Sequence, residues 1–266
     1  MKMSYEERLA RRKALKTKLM NREPVFGGWV SYPDAAITET FAMAGFDFIA
    51  IDMEHTTISL DEAKRIISSA QAEGACCFPR PVSHSNDILK PLLEAGADGL
   101  FIQMVETPEQ VRALIDNMKF PPVGRRSYGV NRAHGYGFDF DRYITEWNDS
   151  STLVLQIESI QAVENIDALL AFPEVDGVMV GPYDISGSLG VPGQTNHPKV
   201  REAGRLVIEA AQRAGKSCCT QIADVSVERV RDAFDQGFTF VILGSDLFIL
   251  WKWAENMRTV MAEVRG

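Results

Sequence analysis

The chain has 266 residues, 45% hydrophobic and 24% charged, with a formal net charge of −8. That is an ordinary globular composition, and the negative balance argues against nucleic acid or anionic membranes as partners. No apolar run approaches about 18 residues, and the charged N-terminus lacks an apolar signal core, so a cytoplasmic protein without a membrane span is expected. The four cysteines fall in two adjacent pairs, Cys76–Cys77 and Cys218–Cys219. Each pair sits in an apolar strand-like run, where one thiol faces in and the other out, and reads as packing rather than metal binding.

Tyr5–Met20 reads as an amphipathic helix ahead of the core, within an N-terminal segment 1–22. VFGGWV (Val25–Val30) is the first strand, and Asp34 opens a helix that Gly45 stops. The second strand, Phe46–Asp52, is apolar through its middle and runs straight into Asp52, Met53, Glu54 and His55. Ser59 and Glu62 form a capping-box pattern for the next helix. Strand-like runs then follow at Ala75–Arg80, Ala97–Met104, Thr152–Glu158, Val175–Asp184, Lys216–Ile222 and Phe238–Asp246, with helical patterns between them. The rhythm breaks over 120–150, rich in Gly, Pro, Arg and aromatics, which reads as an irregular insertion at the active site. A long helix over 246–266 closes the chain.

Eight strands alternating with helices, at about 30 residues per unit, predict a single (β/α)8 TIM barrel spanning 1–266. An open doubly wound sheet would want a glycine-rich first turn, and GGW is no GxGxxG. In such a barrel chemistry sits at the C-terminal strand ends. Those ends carry Asp52, Glu54 and His55, then Arg80, Gln103, Gln156 and Glu158, Asp184, Gln221, and Ser245 with Asp246.

Glu158 and Asp184 leave neighbouring strands at matching depth. Two carboxylates plus water suit a hard cation, Mg²⁺ or Mn²⁺ with Co²⁺ as a further candidate. Zinc fits less well, because no His or Cys stands at ligand spacing with them. His55 beside Asp52 reads as a general base oriented by a carboxylate. Arg80 reads as a guanidinium for a substrate carboxylate or a developing oxyanion. Arg125 and Arg126 read equally as an anion site or as surface pairs. No lysine ends a strand, so Schiff-base chemistry is disfavoured. The combination points to a 2-oxo acid chelated by a metal, with the enolate stabilised by the metal and the arginine.

These residues resemble a known family. D-x-E-H at Asp52–His55, R-P at Arg80–Pro81, G-A at Gly96–Ala97, P-P-x-G-x-R at Pro121–Arg126, Q-x-E-S at Gln156–Ser159 and G-P-x-D-x-S at Gly181–Ser186 are similar to the motifs of the HpcH/HpaI aldolases. These are metal-dependent class II pyruvate aldolases typified by 4-hydroxy-2-oxoheptanedioate aldolase. The resemblance implies a reversible carbon–carbon lyase acting on small 2-oxo acids and aldehydes. It implies Glu158 and Asp184 as metal ligands, His55 as acid–base and Arg80 as transition-state stabiliser. Gln156 and the backbone at Tyr183–Asp184 would bind substrate. It also implies a homohexamer, a trimer of dimers, whose last helix is exchanged between subunits. Two positions depart from the family pattern. Glu94 stands where an aspartate often raises the basicity of the histidine, and Tyr183 stands where alanine is usual. A citrate-forming synthase on the same fold and a non-catalytic homologue are the competing expectations.

Overall fold

The computed structural model describes residues 3–266. In chain order the elements are α1 (Tyr5–Met20), β1 (Val25–Val30), α2 (Ala35–Met43), β2 (Phe48–Asp52), α3 (Leu60–Ala72), β3 (Cys76–Arg80), α4 (Asn86–Glu94), β4 (Gly99–Ile102) and α5 (Pro108–Met118). A 3₁₀ turn (Arg132–Gly137) precedes α6 (Phe140–Ser150), β5 (Thr152–Ile157), α7 (Ile160–Glu164), α8 (Ile166–Leu170), β6 (Gly177–Val180) and α9 (Pro182–Ser188). The chain ends with α10 (Pro198–Arg213), β7 (Ser217–Ile222), α11 (Val227–Asp235), β8 (Phe240–Ser245) and α12 (Asp246–Arg265).

The eight strands are parallel and run β3-β2-β1-β8-β7-β6-β5-β4. At the seam between β3 and β4, the Asp98 amide donates to Cys77 O and the Cys77 amide donates to the Asp98 carboxylate, both at 2.9 Å. The (β/α)8 expectation is therefore met. Strand periodicity then decides what fills the barrel. Phe48 and Ala50, Cys76 and Phe78, and Phe101, Val154, Met179, Cys219 and Phe240 share one inner cluster. Phe48 stacks on Phe78 with ring centroids 5.3 Å apart. Cys77 and Cys218 belong to the outer, helix-facing clusters, so each cysteine pair is split in and out, and all four thiols are buried. The same alternation carries β2 and β3 from aromatic filling to Asp52 and Arg80, one step above it.

Helix α1 closes the opposite mouth. Leu15 and Leu19 join the inner cluster, Lys16 pairs with Asp176 at 2.9 Å, and Ser217 Oγ donates to Leu19 O at 2.7 Å. Gly74 has φ +94, a left-handed helix stop that favours glycine. A Cβ there would lie 2.3 Å from the guanidinium of Arg11, which donates to Gly74 O at 2.6 Å.

The 120–150 segment, expected as an irregular active-site insertion, is partly regular. Its second half is α6, whose Tyr143 and Trp147 are fully buried, and Trp147 Nε1 donates to Met118 O at 2.8 Å. It packs beside α1, where Arg142 meets Glu6 at 2.5 Å. The sixth strand ends at Val180, and its exit carries Tyr183 and Asp184 into the first turn of α9. Arg126 is no surface residue; it is buried against Glu94 at 3.0 Å.

Lys119 is fully buried, and its ammonium donates to Asn148 O, Ser151 O and Ser151 Oγ at 2.8, 3.2 and 2.7 Å. Burial pushes it down to about 7, against about 10.4 in an unfolded chain. Between those values the unfolded chain binds the extra proton, so stability from this group rises with pH from about 7 to about 10 and is lost as pH falls through about 7. Lys119→Met should flatten that rise in urea titrations and cost about 1–3 kcal/mol through its unpaired acceptors. A variant with the same pH slope as the parent would contradict this placement.

Candidate active site

A cavity of about 500 Å³ opens at the C-terminal ends of the strands. Its walls include Trp29, Asp52, His55, Arg80, Gln156 and Gly181, with Tyr183 and Asp184 from α9 and Leu247, Trp251 and Lys252 from α12. Among the described residues, 120–150 contributes no side chain to it.

Arg80 is the hub. Its guanidinium is 2.8 Å from Asp52 Oδ1, 3.1 Å from Glu54 Oε2 and 3.3 Å from Gln156 Oε1, and it lies over the Trp29 ring, 4.7 Å from the centroid. It is buried, so these contacts act with little screening. Asp52 also accepts the backbone amides of Glu54 and His55, at 3.2 and 3.1 Å, and Thr56 Oγ1 donates to Asp52 O. Asp52 thus holds the turn that carries His55 through its backbone amides. The carboxylate nearest the ring is that of Glu54, 3.6 Å from His55 Nε2.

Glu158 lies just behind the cavity wall, 3% exposed. Gln156 Nε2 donates to its Oε1 at 2.7 Å and the Met104 amide to its Oε2 at 2.9 Å. Met104 adopts φ +50, rare for a non-glycine residue, at the point where its N–H meets that oxygen. Burial pushes Glu158 up to about 7, reinforced by the charges of Glu54 and Asp184 and opposed by the Met104 amide and Arg80. Burial also raises Glu54, again with Asp52 and Asp184 as negative neighbours.

Four carboxylates, those of Asp52, Glu54, Glu158 and Asp184, therefore crowd one permanent cation, Arg80. Lys252 is taken by Asp224. This excess of negative charge fits a hard divalent cation, and each Glu158 oxygen keeps lone pairs free beyond its one neutral donor. Among the described residues no three His, Cys, Asp or Glu side chains converge as a metal-type cluster. Glu158 and Asp184 are the two carboxylates that would hold such an ion, with water and substrate oxygens completing its shell.

Glu94 does not reach this site within the chain. It ends α4, and a helix returning from a barrel strand ends at the opposite mouth. There its carboxylate is 3.0 Å from Arg126 Nη2 and 3.7 Å from His134 Nδ1. Tyr183 is 71% exposed and stands at the rim. Trp29, Met104 and Gly181 are additions that reading the strand ends missed. Trp29 stands one residue before the end of VFGGWV, so the strand end pointed to it; Met104 acts through a backbone amide, which carries no side-chain signal.

A family model described as HpcH/HpaI aldolase/citrate lyase matches residues 26–252. The chain belongs to this family. The 2-keto-3-deoxy-L-rhamnonate aldolase of Salmonella typhi is 33% identical over 253 residues, 94% of each chain. The crystal structure of an HpcH/HpaI aldolase/citrate lyase family protein from Burkholderia cenocepacia J2315 has a TM-score of 0.87 and 28% identity, over 96% of this chain and 100% of that one. The citrate synthase SbnG has a TM-score of 0.81 and 25% identity, over 95% and 99%. The expectation of a carbon–carbon lyase is borne out by the aldolase relatives.

Within this HpcH/HpaI site, Gly181 has a measurable role. A Cβ at 181 would lie 2.7 Å from Glu158 Cγ. Gly181→Ala should displace Glu158 and weaken Mn²⁺ binding at least about tenfold, the usual scale for a disturbed ligand environment, with the circular dichroism unchanged. Parental Mn²⁺ affinity by calorimetry would contradict this arrangement.

Proposed function

We propose that the chain is a divalent-metal-dependent aldolase that reversibly cleaves a 4-hydroxy-2-oxo acid to pyruvate and an aldehyde. The observation that carries this reading is the surplus of carboxylates around Arg80, beside an exposed histidine and a cavity large enough for such a substrate. When bound, the divalent ion supplies Lewis acidity toward the carboxylate and keto oxygens of the 2-oxo acid. Gln156 orients Glu158 and, with Arg80, fixes the polar floor on which the acid lies. His55 takes the proton from the 4-hydroxyl. The C3–C4 bonding pair then passes to the pyruvate fragment as its enolate, and the aldehyde leaves. Arg80 stabilises the charge that develops on that fragment, and a proton delivered to C3 completes pyruvate.

A second reading, a citrate-forming synthase, is favoured by the likeness to SbnG. An aldehyde panel run against oxaloacetate as acceptor separates the two. The exposed apolar side chains of α12, among them Leu250, Trp251 and Trp253, support assembly through this helix; a hexamer with the helix exchanged belongs to the same proposal, as does a cytoplasmic setting.

Pyruvate methyl protons should exchange with D₂O in the presence of Mg²⁺ or Mn²⁺, and EDTA should stop the exchange. Metal-independent exchange, or none, would exclude this chemistry. His55→Ala should lower aldol cleavage by about 10²–10⁴-fold, and a fully active variant would remove His55 from the mechanism.

A further inference from the structure

A second, smaller cleft of about 120 Å³ lies between the start of α1, the end of α3 and the 3₁₀ turn ahead of α6. Among the described residues it shares none with the active-site cavity. It holds several times the space that one water molecule needs, about 10–15 Å³. Met3, Arg8, Ser68, Gln71, Arg132 and Tyr136 form its walls, and Arg11 joins Arg8 and Gln71 in the recess beside it. Three guanidiniums thus gather around one cleft in a chain whose net charge is −8.

Arg8 shows what the cleft lacks. Its side chain is only 15% exposed, yet among the described residues its guanidinium makes no hydrogen bond. Nε is buried with no acceptor, and the carboxylate that Arg8 faces, Asp139, stands 4.0 Å away. A guanidinium with five donors and this degree of burial is normally met by acceptors. Among the described residues, Arg132 has one side-chain hydrogen bond, from Nη1 to Ala95 O at 2.8 Å, and no ion pair. Burial lowers the Arg132 pKa, and the charge of Arg8 lowers it further, so the two cations repel one another. Arg11 donates to Gly74 O at 2.6 Å. Asp98, buried beneath them, is engaged by Arg12 at 3.8 Å, by Gln71 and by the Cys77 amide. Three guanidiniums against Asp139 leave two positive charges in surplus, with donors to spare. Water supplies acceptors but leaves that surplus standing; an anion answers both.

We propose that this cleft binds a phosphate-type oxyanion, inorganic phosphate or the phosphate of a monoester, held by Arg8 and Arg132 with Arg11 adding charge. A phosphate carries about −1.5 to −2 at pH 7 and so matches the surplus, where a carboxylate carries half of it. Its tetrahedral oxygens accept from several directions, which suits guanidiniums arriving from α1 and from the turn before α6. Bound there, it ties the start of α1 to that turn and stabilises the fold by mass action.

The test is calorimetry and thermal unfolding of the full chain in EDTA, so that no metal-bound anion contributes. The titrants are inorganic phosphate, phenyl phosphate and sodium acetate, each against sodium chloride at matched ionic strength. Inorganic phosphate should bind one per chain, with a dissociation constant of about 1 mM or tighter, and raise Tm where chloride and acetate do not. Phenyl phosphate binding more tightly than inorganic phosphate assigns the site to a monoester, and weaker binding assigns it to the free ion. Arg8→Gln loses no short hydrogen bond, so it should keep the parental circular dichroism and bind phosphate at least about tenfold more weakly. Arg132→Lys keeps the charge without the planar fork and should fall between the two; it carries the test if Arg8→Gln does not fold. No phosphate-specific rise in Tm, or parental phosphate affinity in both variants, would overturn the proposal.

Discussion

Arg80 and the charge around it are the constraint on which the upper half of the molecule depends. A guanidinium buried at the end of a barrel strand must be paired, because an isolated charge there costs several kcal/mol. Asp52 and Glu54 supply the pairing, with Trp29 beneath and Gln156 beside. Two further carboxylates, Glu158 and Asp184, face the same space. One cation stands against four carboxyl groups, and burial, reinforced by the charges of Glu54 and Asp184, pushes Glu158 up to about 7. Such a crowd of carboxyl groups is the electrostatic pattern that a divalent cation would relieve, as the proposed chemistry requires.

The barrel makes this arrangement possible by filling itself below. Phe48, Phe78, Phe101 and Phe240 pack the interior, and α1 seals the far mouth through Leu15 and Leu19. The polar layer therefore stands on a rigid apolar floor and not over water, which keeps its local dielectric low. The turn after β2 is fixed by Asp52 accepting two backbone amides, so the placement of His55 follows from a hydrogen-bonded turn and not from a free loop. Helix α12 differs in kind. Among its described residues only Asp246 is buried, and its first turns still form part of the cavity wall.

Much of this was legible in the residues. Strand–helix alternation named the barrel, and the polar strand ends picked out Asp52, His55, Arg80, Gln156 and Asp184, which line the cavity, with Glu158 behind its wall. What failed did so for physical reasons. In 120–150 the Gly and Pro content masked a helical face, although Tyr143, Trp147 and Ser150 recur at helical spacing. The match of Glu94 to a family position said nothing about which mouth of the barrel it occupies; the end of α4 settles that. Asp52 and Glu54 are two residues apart on one strand exit, and only side-chain geometry separates the one that holds the turn from the one that meets the ring.

The most direct measurement is anomalous diffraction from crystals soaked with Mn²⁺ and pyruvate. One Mn²⁺ peak should lie between Glu158 and Asp184, within about 2.5 Å of an oxygen of each, the range of carboxylate–cation bonds, with pyruvate oxygens in the same shell and Arg80 alongside. A peak seated on Asp52 and Glu54 instead, or pyruvate bound with no metal between those two ligands, would contradict the charge imbalance as the basis of this site.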